Sequence, residues 1–352
     1  MRFVREILKD VEGYTPGEQP QGSNLIKLNT NENPYPPAPG VLEALRNLSA
    51  DALRKYPDPL SVAFRRACAQ RYGAPDESWI FAGNGMDELL AMVLRTFVDP
   101  GDTVVATYPT YSLYEILCVL HGAKLHYVDL DDDFQLTPDF MSASGRLCFL
   151  TRPNAPTGVA APREAVADFC ARFQGIVVID EAYADFAADT CMDFPDRFDN
   201  VIVMRTFSKS FSLAGMRVGT MKAQPQLVRE FLKTKDSYNM NAASQAAALA
   251  AITDYDHMLA SVAKVCATRQ RLREALVARG FRVPESQSNF LLAHWNGTPS
   301  AKDIFQALSA QQIFVRYFSA RRLENALRIT IGTDAECDAL LAAIDGILGA
   351  AK

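Results

Sequence analysis

Residues 201–219 read VIVMRTFSKSFSLAGMRVG. An apolar run ends in Arg-Thr-Phe-Ser, and a single lysine, Lys209, follows among small and apolar residues. A second stretch, IVVIDEAYADF (176–186), ends its apolar run on Asp180 and places Tyr183 three residues on. Both runs read as buried strands, because short unbroken apolar stretches rich in β-branched residues suit a sheet covered on both faces. Three more such strands are expected in TVVATYP (103–109), KLHYVDL (124–130) and RLCFLT (146–151). Helical patterns alternate with them in GMDELLAMVLRTFV (85–98), YSLYEILCVLHG (111–122) and REAVADFCARF (163–173). Such alternation predicts βαβ units, a mostly parallel sheet and helices on both of its faces. Ligands of these sheets bind at the carboxyl ends of the strands. Asp180 and Lys209 are both expected at that end.

The remaining segments place this sheet within the chain. Residues 1–40 are rich in Pro, Gly and Asn and read as an extended arm. Beyond about residue 225 long helical patterns take over, NAASQAAALAAI (241–252) and HMLASVAKVCATRQRLREALVARG (257–280), before strands and helices mix again. The expected organisation is an arm at 1–40, a large αβα domain at 41–255 and a smaller α+β domain at 256–352. The acidic DLDDDF (129–134) reads as a solvated turn.

Composition narrows the function classes. Of 352 residues 49% are hydrophobic and 22% charged, the balance of a globular chain able to bury a large core. The net charge is −5 without a basic block, so no nucleic-acid partner is expected. Seven cysteines form no CxxC pair, and four histidines form no HExxH, so neither a disulfide framework nor a metal site is expected. Reduced thiols fit the cytoplasm. MRFVREILKD lacks the apolar core of a signal peptide, and no run approaches the roughly 18 apolar residues of a membrane span.

The pairing of Lys209 with Asp180 has a chemical use. A lysine forms a Schiff base with an aldehyde cofactor. Pyridoxal phosphate needs that lysine and a carboxylate at its pyridine nitrogen, and a nearby tyrosine tunes the ring hydroxyl. Asp180, Tyr183 and Lys209 offer one group for each task. A phosphate also needs a cradle. GNGMDELL sets Gly83, Asn84 and Gly85 just ahead of a predicted helix, whose first N–H groups bind anions. Thr206 and Ser208 add hydroxyls, and Arg217 adds a charge-assisted donor.

With these residues in place, the chain resembles the fold-type I pyridoxal-phosphate aminotransferases, and among them the histidinol-phosphate branch. The likeness runs through GYTPGEQ, KLNTNENPYPP, YPDP, GNGMDE, YPTYSLY, RPNAPTG, IDEAYADF, RTFSKSFSLAGMRVG, YNMN, SNFLL and LRITIGT, nearly the whole chain. It implies that Lys209 is the Schiff-base lysine, Asp180 the pyridine-nitrogen acid and Tyr183 the ring-hydroxyl tyrosine. It implies that Tyr111 stacks on the ring, and that Gly85, Met86, Asp87, Thr206, Ser208 and Arg217 bind the phosphate. A homodimer with shared sites is implied too, with Tyr56 reaching the phosphate from the partner subunit. Arg328 would grip the substrate's acidic group. Arg316, Tyr14, Asn33 and Tyr238 would be further substrate residues, Tyr14 and Tyr238 acting across the dimer. One departure stands out: many relatives carry two asparagines before PTG, the second bonding the ring oxygen, whereas this chain has Asn154 followed by Ala155. Either Asn154 serves from one position earlier, or that bond is missing. An aromatic amino acid aminotransferase and a threonine-phosphate decarboxylase-like lyase use the same scaffold and remain open.

Overall fold

A seven-stranded sheet lies at the centre of the chain, flanked by helices on both faces. The structure, a computed structural model, describes residues 3–9, 11, 13, 17–20, 22 and 25–350. In chain order the first strands are β1 (Ile26–Lys27), β2 (Ile80–Gly83), β3 (Thr103–Tyr108), β4 (Lys124–Asp129), β5 (Leu147–Thr151) and β6 (Ile176–Asp180). They are followed by β7 (Val201–Thr206), β8 (Gly219–Lys222), β9 (Phe290–His294), β10 (Ile313–Phe314), β11 (Arg316–Tyr317) and β12 (Ala326–Thr330). The central sheet has the order β2-β8-β7-β6-β5-β3-β4, and only β8 runs against the rest.

Side-chain alternation divides the core into two layers, as period-2 geometry requires. Val104, Ala106, Val178, Ile202 and Met204 pack with Leu89, Val93, Tyr114 and Phe231, from helices Met86–Phe97, Leu113–His121 and Pro225–Thr234. Val105, Val177, Ile179, Val201 and Val203 face the other way, against Phe140 and against Val166 and Phe169 of helix Arg163–Arg172. The β-branched runs that marked these strands in the sequence are thus covered twice. β2 and β8 escaped that reading. β8 is only GTMK, too short to show a period and bounded by Gly and Lys, which strands disfavour, and it holds buried Lys222 paired with Asp196 at 2.8 Å.

A three-stranded sheet, β11-β12-β9, forms beyond the 24-residue helix Tyr255–Ala278. β1 pairs in parallel with β10, so the end of the N-terminal arm is fastened to this C-terminal part. The DLDDDF turn is not simply solvated. Arg321 grips Asp129 with two nitrogens, at 2.6 and 2.7 Å, and Arg322 donates to the carbonyls of Leu130 and Asp131, both at 2.6 Å. Two arginines nearly 200 residues away hold a loop that the local sequence describes only as acidic.

One glycine lets the helix Met86–Phe97 approach the sheet. A Cβ on Gly219 would come within 2.8 Å of both the Gly85 carbonyl carbon and the Met86 nitrogen. These are backbone atoms and cannot rotate away. Gly219→Ala should therefore cost about 1–3 kcal/mol of stability by overpacking. Gly40→Ala, with nothing within 4 Å of the new methyl in helix Pro39–Arg46, should be neutral or stabilising by up to about 1 kcal/mol. Urea unfolding midpoints of the two variants check the contrast.

Candidate active site

A cavity of about 420 Å³ opens at the carboxyl ends of β3, β5, β6 and β7. Lys209, Asp180, Tyr183, Tyr111 and Arg217 line it, together with Arg328 from β12. A second hollow, about 520 Å³, lies near Phe173, Asn200 and Gln224, at the opposite ends of the strands. Chemistry in open parallel sheets belongs to the carboxyl ends, where the first cavity lies.

Asp180 ends β6 and is fully buried. Tyr114 donates its hydroxyl to Oδ2 at 2.5 Å, and the Ala182 N–H donates to Oδ1 at 3.0 Å. Burial pushes the carboxyl up to about 6, against the pull of these two bonds. Lys209 sits in the turn after β7, and its Nζ donates to the Thr30 carbonyl at 3.1 Å. Burial, reinforced by the charge of Arg328, pushes this amine down to about 8, while Glu32 and Asp87 act against the shift. Tyr183 stands 5.9 Å from the Lys209 Nζ, measured to its ring centroid, and its oxygen accepts a bond from Asn31 Nδ2 at 2.9 Å.

The residues expected to cradle an anion lie together. Gly85 caps helix Met86–Phe97 at φ +88°, and Arg217 takes the left-handed region at φ +51°. A Cβ on Gly85 would stand 2.7 Å from Arg217 Nη2, space that the guanidinium occupies. Arg217 reaches Asp87 Oδ2 at 3.2 Å and Ser208 Oγ at 3.4 Å, and Thr206 Oγ1 bonds Ser208 Oγ at 3.0 Å. Tyr111 donates to Asp87 Oδ1 at 3.3 Å. On the opposite wall Arg316 and Arg328 are direct cross-strand partners on β11 and β12. Like charges placed opposite each other are destabilising.

The family model for aminotransferase class I and II matches residues 23–344. The chain belongs to this family. A histidinol-phosphate aminotransferase of Synechocystis is 45% identical over 351 residues, covering 99% of each chain. One from Microcystis aeruginosa is 42% identical, over 98% of this chain and 99% of the relative. Among solved structures, histidinol-phosphate aminotransferase from Sinorhizobium meliloti in complex with pyridoxal-5'-phosphate superposes with a TM-score of 0.86 at 30% identity, covering 92% of this chain and 91% of that one. A Thermus thermophilus aspartate aminotransferase mutant, at 16% identity and TM-score 0.82 over 99% and 100% of the two chains, shares the fold.

Not every residue expected at this aminotransferase's site faces the cavity. Asn33 does not line it: its amide donates to the Ser210 carbonyl at 3.1 Å and accepts from the Tyr35 N–H at 3.0 Å. Asn31, two residues earlier, does line it. Asn154 spends its Nδ2 on the Pro109 carbonyl and Thr157 Oγ1, both at 3.0 Å, and Ala155 forms the wall instead. Tyr56 and Tyr238 stand outside this chain's own cavity; they stack on each other at 4.3 Å and remain 80% and 43% exposed. Tyr14 lies outside the described residues. Tyr114 was the partner missed. It was visible as the last residue of PTYSLY, one helical turn beyond Tyr111.

The depressed Lys209 amine predicts a selective nucleophile. At pH 8 an aldehyde trapped by borohydride should mark Lys209 ahead of the exposed lysines, because an ordinary lysine amine is almost wholly protonated at that pH. Arg328→Gln removes a neighbouring positive charge and should move the labelling midpoint to higher pH. Peptide mass mapping across a pH series reads both effects, and even labelling of all lysines would contradict them.

Proposed function

We propose that the chain acts as a pyridoxal 5'-phosphate-dependent histidinol-phosphate aminotransferase. It moves an amino group between L-histidinol phosphate and 2-oxoglutarate, giving imidazole-acetol phosphate and L-glutamate, a step of histidine biosynthesis. The observation that carries this reading is the full-length likeness to relatives of that name, with Lys209, Asp180 and Tyr183 meeting in one cavity. The fit to the cofactor rests on the Arg217 guanidinium, which the missing Cβ of Gly85 admits to the start of helix Met86–Phe97, and on the buried acid Asp180.

When bound, pyridoxal 5'-phosphate supplies an aldehyde that condenses with amines and a ring that takes up electrons as the substrate Cα loses its proton. Thr206, Ser208, Arg217 and the first N–H groups of helix Met86–Phe97 would hold its phosphate. Tyr111 would cover the ring face. Asp180 would hold a proton on the ring nitrogen, since a cation beside a buried carboxylate favours both charged forms. Lys209 Nζ is the base that removes the Cα proton and the acid that returns it. An amine with a pKa of about 8 suits both roles near neutral pH. Arg316 and Arg328 would receive the anionic end of either substrate, because a planar guanidinium fork matches both carboxylate and phosphate.

The reading includes a cytoplasmic homodimer with shared sites, and the division into an arm at 1–40, a large domain at 41–255 and a small domain at 256–352. The exposed Tyr56–Tyr238 stack, with exposed Leu53 and Leu60 in the chain segments around Tyr56, favours the dimer. No helix among the described residues is long and apolar enough to cross a membrane.

A coupled assay tests the substrate. L-histidinol phosphate with 2-oxoglutarate should exceed phenylalanine and tyrosine in kcat/KM by at least about tenfold, because a site built for a phosphate rejects substrates lacking it. Equal rates would favour the aromatic aminotransferase, and carbon dioxide release from threonine phosphate would favour the lyase. Subunit mixing tests the dimer. Lys209→Ala chains combined with Tyr56→Phe, Tyr238→Phe chains should form heterodimers with one intact site and more activity than either parent. No recovery in heterodimers confirmed by mass would remove the two tyrosines from the shared site.

A further inference from the structure

Three successive carbonyls of the loop after β1 each take a donor from a different part of the site. Arg328 Nη2 bonds the Asn29 carbonyl at 2.9 Å, Lys209 Nζ bonds that of Thr30 at 3.1 Å, and Asn289 Nδ2 bonds that of Asn31 at 2.9 Å. Asn31 itself is buried and lies in the left-handed region, at φ +60°, which Asn tolerates better than most residues.

The hydrogen bonds around Asn31 determine which way its amide points. The Asn31 backbone N–H can only donate, and it bonds Thr330 Oγ1 at 3.0 Å. The Thr330 hydroxyl proton then goes to Asn31 Oδ1, also at 3.0 Å. With Oδ1 committed to Thr330, Nδ2 faces the Tyr183 oxygen at 2.9 Å and donates to it. The reversed amide would deprive Thr330 of this acceptor. Tyr183 therefore accepts from Asn31, and its own proton is not spent on this bond. The cavity wall at Ala155 adds no side-chain donor.

We propose that Asn31, held by Thr330, is a positioning residue that keeps the Tyr183 hydroxyl a hydrogen-bond donor toward the cofactor's ring oxygen. The proposal rests on the role given to Tyr183 above. A donor at that oxygen weakens its hold on the proton shared with the lysine-bound nitrogen of the chromophore. That proton then leaves at lower pH. Among the described residues, Lys209, Asp180, Glu32 of the same loop, Arg316 and Arg328 of β11 and β12, Glu115, and Asp87 and Arg217 in the cradle are charged groups that line the same cavity as Tyr183. All of them stay in place in the substitutions below.

The test is a pH titration of the borohydride-sensitive visible band of the holoenzyme. Asn31→Asp replaces the amide donor by an acceptor that draws the Tyr183 proton to itself, and should raise the midpoint by about one pH unit. Tyr183→Phe should shift it in the same direction. Asn31→Asp added to Tyr183→Phe should shift it little further, since both act through one hydroxyl. Thr330→Val should also raise the midpoint, whereas Thr330→Ser, which keeps the hydroxyl, should leave it at the wild-type value. An unshifted midpoint in cofactor-loaded Asn31→Asp overturns the proposal. So does a full shift that persists on the Tyr183→Phe background, which would mark a direct charge effect. If the Asn31 variant does not fold, the Thr330 pair gives the same decision. Absence of the band from the wild-type protein would instead overturn the functional reading on which the proposal rests.

Discussion

A buried guanidinium holds the turn after β6 and the turn after β7 together. Arg205, the penultimate residue of β7, bonds Glu181 Oε2 at 3.0 Å and Thr190 Oγ1 at 2.9 Å and pairs with Asp185. Asp185 also accepts from the hydroxyl of Ser210. Glu181 follows Asp180, Asp185 lies two residues beyond Tyr183, and Ser210 follows Lys209. One side chain thus fixes the acid, the tyrosine and the lysine relative to one another. Such a cluster is not a net source of stability, because desolvation offsets its attraction; yet losing one member costs about 3–5 kcal/mol, since the rest are left buried and unpaired. What it contributes is a single geometry. A flexible ammonium, with no planar fork, would not define it as closely.

Around this clamp the electrostatics are arranged for charges that arrive with ligands. Burial brings Asp180 up to about 6 and Lys209 down to about 8, so each lies closer to neutrality than an exposed counterpart. Arg316 and Arg328 face each other across strands, so two positive charges stand together on one wall. A protonated ring nitrogen suits the buried carboxyl of Asp180. The arm joins the same system: its loop carbonyls at Asn29, Thr30 and Asn31 are bonded to Arg328, Lys209 and Asn289. A segment too poor in apolar residues to form a core of its own is thereby held by the site's own donors.

The amino-acid sequence by itself determined the βα alternation, the two buried faces of the central sheet and the placement of Asp180 and Lys209 at strand ends. These are local matters: periodicity and apolar runs report burial within a few residues. Gly85 before its helix and Arg217 in the lysine segment were legible for the same reason. The tertiary structure alone decided who bonds whom. Tyr114 meets Asp180 across 66 residues, Asn31 meets Tyr183 across 152, and Thr330 meets Asn31 across 299. No window along the chain contains both partners. Asn31 and Asn33 stand in one motif and look alike in sequence, yet the turn between them sends one amide to the site and the other to the Ser210 backbone. The acidic loop at 129–134 took its meaning from Arg321 and Arg322. Hydrogen-bond partnership depends on positions in space, and only the packed sheet, with the loop at residues 29–31 bonded to Arg328, Lys209 and Asn289, supplies those.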